Sequence, residues 1–112
     1  MNSINDIIFQ EGSVHTVTMT IPDTIPLVGK QASIQVRNRP DSGLDFQFYT
    51  DTTKEGDGIL GISGQVITLF IPADVSLGKA DTYMWQLKIY STDDDAINSA
   101  VFDFIILPSI NI

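Results

Sequence analysis

Apolar side chains recur at every second position through most of this chain, and that spacing predicts strands with one buried face. Val17, Met19 and Ile21 alternate with Thr16, Thr18 and Thr20, whose β-branched side chains suit an exposed pleated surface. Ala32, Ile34 and Val36 alternate with Ser33, Gln35 and Arg37. Leu44, Phe46 and Phe48 alternate with Asp45, Gln47 and Tyr49. Between Gly64 and Tyr90 the run Gln65–Ile71 leads through a Pro72-Ala73-Asp74 corner to a second run from Thr82. There Tyr83, Trp85, Leu87 and Ile89 form the predicted core face, and Met84, Gln86, Lys88 and Tyr90 the opposite one. Ala100, Phe102, Phe104 and Ile106 begin the last inward set. The unbroken apolar run Phe104–Leu107 predicts burial on both sides.

Punctuation between these runs fits the same plan. Pro22 and Pro108 end strands, and Arg39-Pro40-Asp41-Ser42-Gly43 reads as a turn in which proline fixes φ and glycine is free to turn. Residues 50–58 hold no apolar side chain and read as the longest exposed loop. Ile59, Leu60 and Ile62 predict a short strand, and the segment Pro72–Gly78 has room for one or two helical turns. Seven or eight short strands without helices long enough for parallel crossovers predict an all-β, antiparallel sandwich or barrel. At 112 residues the chain suits one domain, 1–112, with short apolar tails at both ends.

Composition narrows the functional classes. Fourteen acidic residues against six basic ones give a net charge of −8, and twelve of the fourteen are Asp, a turn-former rather than a helix-former. Such a surface repels phosphate backbones, so nucleic acid is not an expected partner. No apolar run approaches the roughly 20 residues of a membrane helix, so no membrane partner is expected. The first residues lack a basic segment followed by an apolar one, which points to a soluble product made in a cytoplasm.

Candidate chemistry is sparse. With no cysteine and a single histidine, His15, neither a thiolate nucleophile nor a multi-histidine metal site can be built, and His15 reads as a strand residue. The stretch Asp51–Asp57 has acids and a glycine at the sixth place, as in a calcium loop. It lacks the closing Glu, because the twelfth position is Ile62. Asp93-Asp94-Asp95 reads as a solvated turn. No catalytic residue, cofactor or metal is expected, and the chain is read as a non-enzyme. Tyr49 and Tyr90, opposite the predicted core, are the flat rings that a sugar or a protein partner would use.

Four segments carry a resemblance. Phe9-Gln10-Glu11-Gly12, the segment Ala32–Arg37, the segment Ile67–Ala73 and the strand Thr82–Ile89 are similar, in this order, to pieces of small β-sandwich domains from tailed-bacteriophage structural proteins. The strand Thr82–Ile89 looks like that family's Gly-Thr-Tyr-x-Tyr-Asp-Leu-x-Leu, with Asp81 in place of Gly, Trp85 in place of Tyr and Gln86 in place of Asp. The resemblance covers roughly residues 7–108. It implies an Ig-like β-sandwich in a virion, assembling in multiple copies onto a tail, baseplate or head complex, with other virion proteins or further copies of itself as partners. The candidate contact residues are Ile4, Ile7, Ile110 and Ile112 at the ends, and Tyr49, Met84, Lys88 and Tyr90 on the outward faces. The alternative expectation is a carbohydrate- or receptor-binding module using Tyr49 and Tyr90.

Overall fold

A computed structural model describes residues 6–38, 43, 45–91 and 96–109. Two sheets pack face to face. The larger runs β1 (Ile7–Gln10), β9 (Phe102–Leu107), β7 (Asp81–Tyr90), β3 (Gln31–Arg37) and β4 (Phe46–Tyr49), with β8 (Ile97–Asn98) paired to β7 beyond β9. The smaller is β2 (His15–Thr20), β6 (Val66–Ile71) and β5 (Ile59–Ser63). Every pairing is antiparallel except β1 with β9, which is parallel, with Ile7 opposite Phe104.

The expectation of an all-β sandwich holds, with nine strands among the described residues rather than seven or eight. The two extra elements are the terminal strand β1 and the two-residue β8. In immunoglobulin-type sandwiches, strands B, E and D share one sheet, while G, F, C and, in the variable type, C′ share the other. Here β2, β6 and β5 occupy the first set, and β9, β7, β3 and β4 the second. These connections define the class of the protein as an Ig-like β-sandwich.

Alternation along the strands builds the core. Met19, Ile34, Val36, Phe48, Ile67, Leu69, Trp85, Leu87, Phe104 and Ile106 are all buried, and so are Tyr83 and Ile89. The apolar set read from Tyr83 to Ile89 therefore faces inward. Phe104 anchors an aromatic cluster, with Phe9 edge-on at 5.6 Å, Tyr83 edge-on at 6.2 Å and Phe46 at 6.0 Å between ring centroids. Such edge-to-face pairs add roughly 0.5–1.5 kcal/mol beyond the area they bury. The expectation of two-sided burial for Phe104–Leu107 is corrected. Phe104 and Ile106 point inward, but Ile105 is half-buried and Leu107 is 42% exposed, because none of the described residues forms a layer over that side of the sheet.

Turns follow local chemistry. Between β5 and β6 the register leaves Gly64 and Gln65 as a two-residue hairpin loop, and Gly64 takes φ +61°. Positive φ at the first loop position alone is the pattern of a type II′ turn. The helical segment between Pro72 and Gly78 is a single turn, α1 (Ala73–Ser76). Its buried Ser76 hydroxyl accepts a hydrogen bond from the Gly12 N–H at 2.9 Å, tying the β1–β2 turn to the β6–β7 crossover.

Candidate functional site

Side chains of paired residues lie on the same face of a sheet, so the strand registers convert into rows across the outer surface of the larger sheet. One row holds Tyr49, Ser33, Lys88 and Asn98. The next holds Gln47, Gln35 and Gln86, followed by Arg37, Met84 and Asp103, and then by Thr82, Ile105 and Ile8. Gln10 and Leu107 close the sequence at the far end. This outer face is cationic and aromatic at one end, a glutamine band across its middle, and apolar with carboxylates at the other end.

Tyr49, Met84, Lys88 and Tyr90 are all brought onto this face, each half-buried. Lys54, from the loop between β4 and β5, places its ammonium 5.3 Å from the Tyr49 ring centroid and 5.7 Å from that of Tyr90. Lys88 lies 5.3 Å from the Tyr90 centroid. An ammonium over a ring face is itself an attractive contact, and it occupies the surface on which a sugar would stack. The Tyr49 hydroxyl donates to Gln47 Oε1 at 2.6 Å, whereas the buried Tyr90 hydroxyl has no hydrogen-bond partner among the described residues. Beside the glutamine band lies a cleft of about 170 Å³ lined by Gln35, Arg37, Met84, Trp85, Gln86 and Val101.

Ile7 is placed differently from the outward tyrosines. It is 2% exposed and its side chain joins the core, so the residue of β1 that faces outward is Ile8, 52% exposed. Ile4, Ile110 and Ile112 lie outside the described residues, as do Leu44 and Asp93-Asp94-Asp95.

The β7 edge shows why β8 and β9 are separate. Ser99 stands between them, its N–H donating to the Leu87 carbonyl at 2.9 Å and its hydroxyl accepting from the Leu87 N–H at 3.0 Å. Gln86 donates from Nε2 to the Ser99 carbonyl at 2.7 Å. One serine thus replaces a ladder pair and leaves Val101 outside the sheet, 57% exposed. Nothing in the alternation of apolar residues announces this, since the pattern only blurs there.

His15 stacks flat on Phe9, with centroids 4.9 Å apart and planes within 6°. Burial there lowers its pKa below the usual histidine value. Asp51 accepts from the Thr53 hydroxyl and N–H, which holds its carboxyl below the usual range and closes an Asx-type turn in the 50–58 loop. Among the described residues no three His, Asp or Glu side chains gather as a metal-binding group. No described helix is long and apolar enough to cross a membrane.

No protein-family model matches the chain, and comparison with curated proteins finds no match.

Proposed function

We propose that this chain is a non-enzymatic structural protein of a tailed-bacteriophage virion, an Ig-like module that assembles in multiple copies onto a tail, baseplate or head complex. The four resembling segments supply the virion context. The observation that carries the assembly role is the contrast between a filled core and a surface on which large apolar side chains stay open. Ile8 and Leu107 are exposed on the larger sheet and Ile59 on the smaller, 67% exposed. Contiguous apolar surface rimmed by polar groups marks protein contact sites, and repetition of the module in an assembly lets individually weak contacts hold.

The test is physical location. Virions from cells expressing the chain are purified by density banding, and their proteins are quantified by mass spectrometry. The expected result is multiple copies of the chain per particle at fixed ratio to the other structural proteins. A chain recovered only from the soluble fraction, with particles complete without it, overturns the reading.

A further inference from the structure

Among the described residues no layer covers the acidic, apolar end of the outer sheet face, and we infer that it docks a cationic protein surface. Ile8 and Ile105 are directly paired on this face, and Leu107 lies two residues further along β9. A shallow hollow of about 370 Å³ borders Ile105 and Leu107, with Asp81 and Thr82 on its β7 side. Two carboxylates border the patch: Asp103 follows Phe102 on β9 and Asp6 precedes β1. Asp81 opens β7 opposite inward Ile106, and its carboxylate accepts from Asn38 Nδ2 at 3.2 Å on the β3 side. Asp6 accepts a hydrogen bond from the Asp103 N–H at 3.0 Å, which fixes two of these acids side by side. Arg37 stands in the Asp103 row two strands away on β3, and Lys79 is exposed two residues before β7.

Charge decides the occupant. A nucleic acid or an anionic lipid surface would meet these carboxylates with like charge. Two copies meeting through this same end would bring acids against acids, and a head-to-tail copy would offer Lys54 and Lys88 on half-buried tyrosines rather than exposed aliphatic side chains. A protein surface presenting leucine-like side chains within a rim of Lys or Arg satisfies both halves of the patch. It covers Ile8, Ile105 and Leu107 and pairs the bordering carboxylates. The inference rests on the assembly reading only for the existence of a partner; the face and its chemistry stand on the register and the charges.

The test titrates the full chain with a synthetic amphipathic peptide of leucine and lysine, and with its leucine–glutamate twin, while backbone amide shifts are followed by NMR. The expected result is that the lysine peptide shifts amides of β1, β9 and the start of β7, and that the glutamate twin does not. Raising salt from about 50 mM to about 500 mM should weaken binding by roughly tenfold or more. The double variant Ile105→Thr, Leu107→Thr should lose binding while its remaining amide spectrum stays folded, and Asp6→Asn with Asp103→Asn should weaken binding with the apolar patch intact. Equal binding of both peptides, or shifts confined to the Tyr49–Tyr90 end, overturns the inference. So does a wild-type dimer in sedimentation that the threonine variant dissolves, since the occupant would then be a second copy. A chain found in particles whose patch ignores the peptide overturns this face and leaves the assembly reading intact. A chain that binds the peptide here but never enters particles does the reverse.

Discussion

The Tyr83 hydroxyl donates a 2.8 Å hydrogen bond to the carbonyl of Lys79, four residues upstream at the corner where the chain crosses from β6 to β7. This is the geometry of the tyrosine corner of immunoglobulin-type sandwiches, at the same junction of the fold. It fixes the crossover against the aromatic cluster around Phe104. Tyr83→Phe keeps the ring and removes the bond, so it should cost about 1 kcal/mol and lower the midpoint of thermal unfolding by roughly 4–8 °C. Burial, helped by the nearby charges of Asp81 and Asp45, raises the pKa of this phenol above 10.0. The unfolded chain therefore ionises first, and this contribution should be constant up to about pH 10 and decline as pH rises through the folded value. The difference between wild type and Tyr83→Phe, followed by chemical denaturation across that range, should shrink with alkali. A difference that is flat or growing would show that the phenol does not ionise against burial.

Trp85 sits two residues after the corner tyrosine, where disulfide-bonded relatives of this fold carry their second cysteine. The chain has no cysteine, and the indole, 1% exposed and packed 5.6 Å from the Phe102 ring, fills that central place. Strand identity, the inward face of β7 and the sandwich class were all legible, because each rests on period-two alternation that a one-sided sheet demands. The terminal strand β1 was not legible as a strand. Ile7 and Ile8 are adjacent apolar residues, and only the parallel pairing with β9 tells the buried one from the exposed one. The same limit hid the outer apolar patch, since Ile105 and Leu107 become distinct from Phe104 and Ile106 only in the pleat of β9.

Gln65 is the second turn residue of the β5–β6 hairpin, yet its side chain works on a distant loop. Its Nε2 donates toward the carbonyls of Ile21, Pro22 and Ile25 at 3.0 to 3.2 Å, and its Oε1 accepts from the Leu27 N–H at 3.0 Å. Two amide hydrogens shared by three carbonyls leave no slack, so the amide sets the path between β2 and β3. Gln65→Ala should cost about 2 kcal/mol, and it should raise hydrogen exchange of the amides of Ile25 and Leu27 while sparing β7. Gln65→Glu should cost more, because a carboxylate has no proton to offer those carbonyls. A glutamate variant as stable as wild type at neutral pH would contradict this account.

Two glycines separate backbone need from chance. A methyl group at Gly58 would lie 2.2 Å from the Phe70 carbonyl oxygen and 3.0 Å from the Phe48 ring, so the loop end could not stay where it enters β5. Gly58→Ala should destabilise by about 2 kcal/mol or more. Gly61, within β5, meets nothing within 4 Å and has no positive φ. Gly61→Ala should be neutral or stabilising by up to about 1 kcal/mol, since alanine restricts the unfolded chain. Paired denaturant melts check both signs; equal losses at the two sites would show that the close approach at Gly58 does not govern its substitution.

The stack of His15 on Phe9 makes a sharper demand on pH than on sequence. Burial lowers the His15 pKa from 6.5, so the folded state disfavours the proton that the unfolded chain accepts. Above about pH 6.5 both states hold neutral imidazole and stability does not depend on this group. As pH falls below that value the unfolded chain protonates first, and stability declines until the folded pKa is passed. His15→Phe keeps a flat ring against Phe9 and removes the titration. Denaturant midpoints of wild type and variant should therefore move apart in the variant's favour between about pH 7 and about pH 5, before most carboxylates titrate. A separation that stays constant over that interval would mean that His15 takes up its proton in the folded chain as readily as in the unfolded one, and the Phe9 stack would then be no barrier to charge.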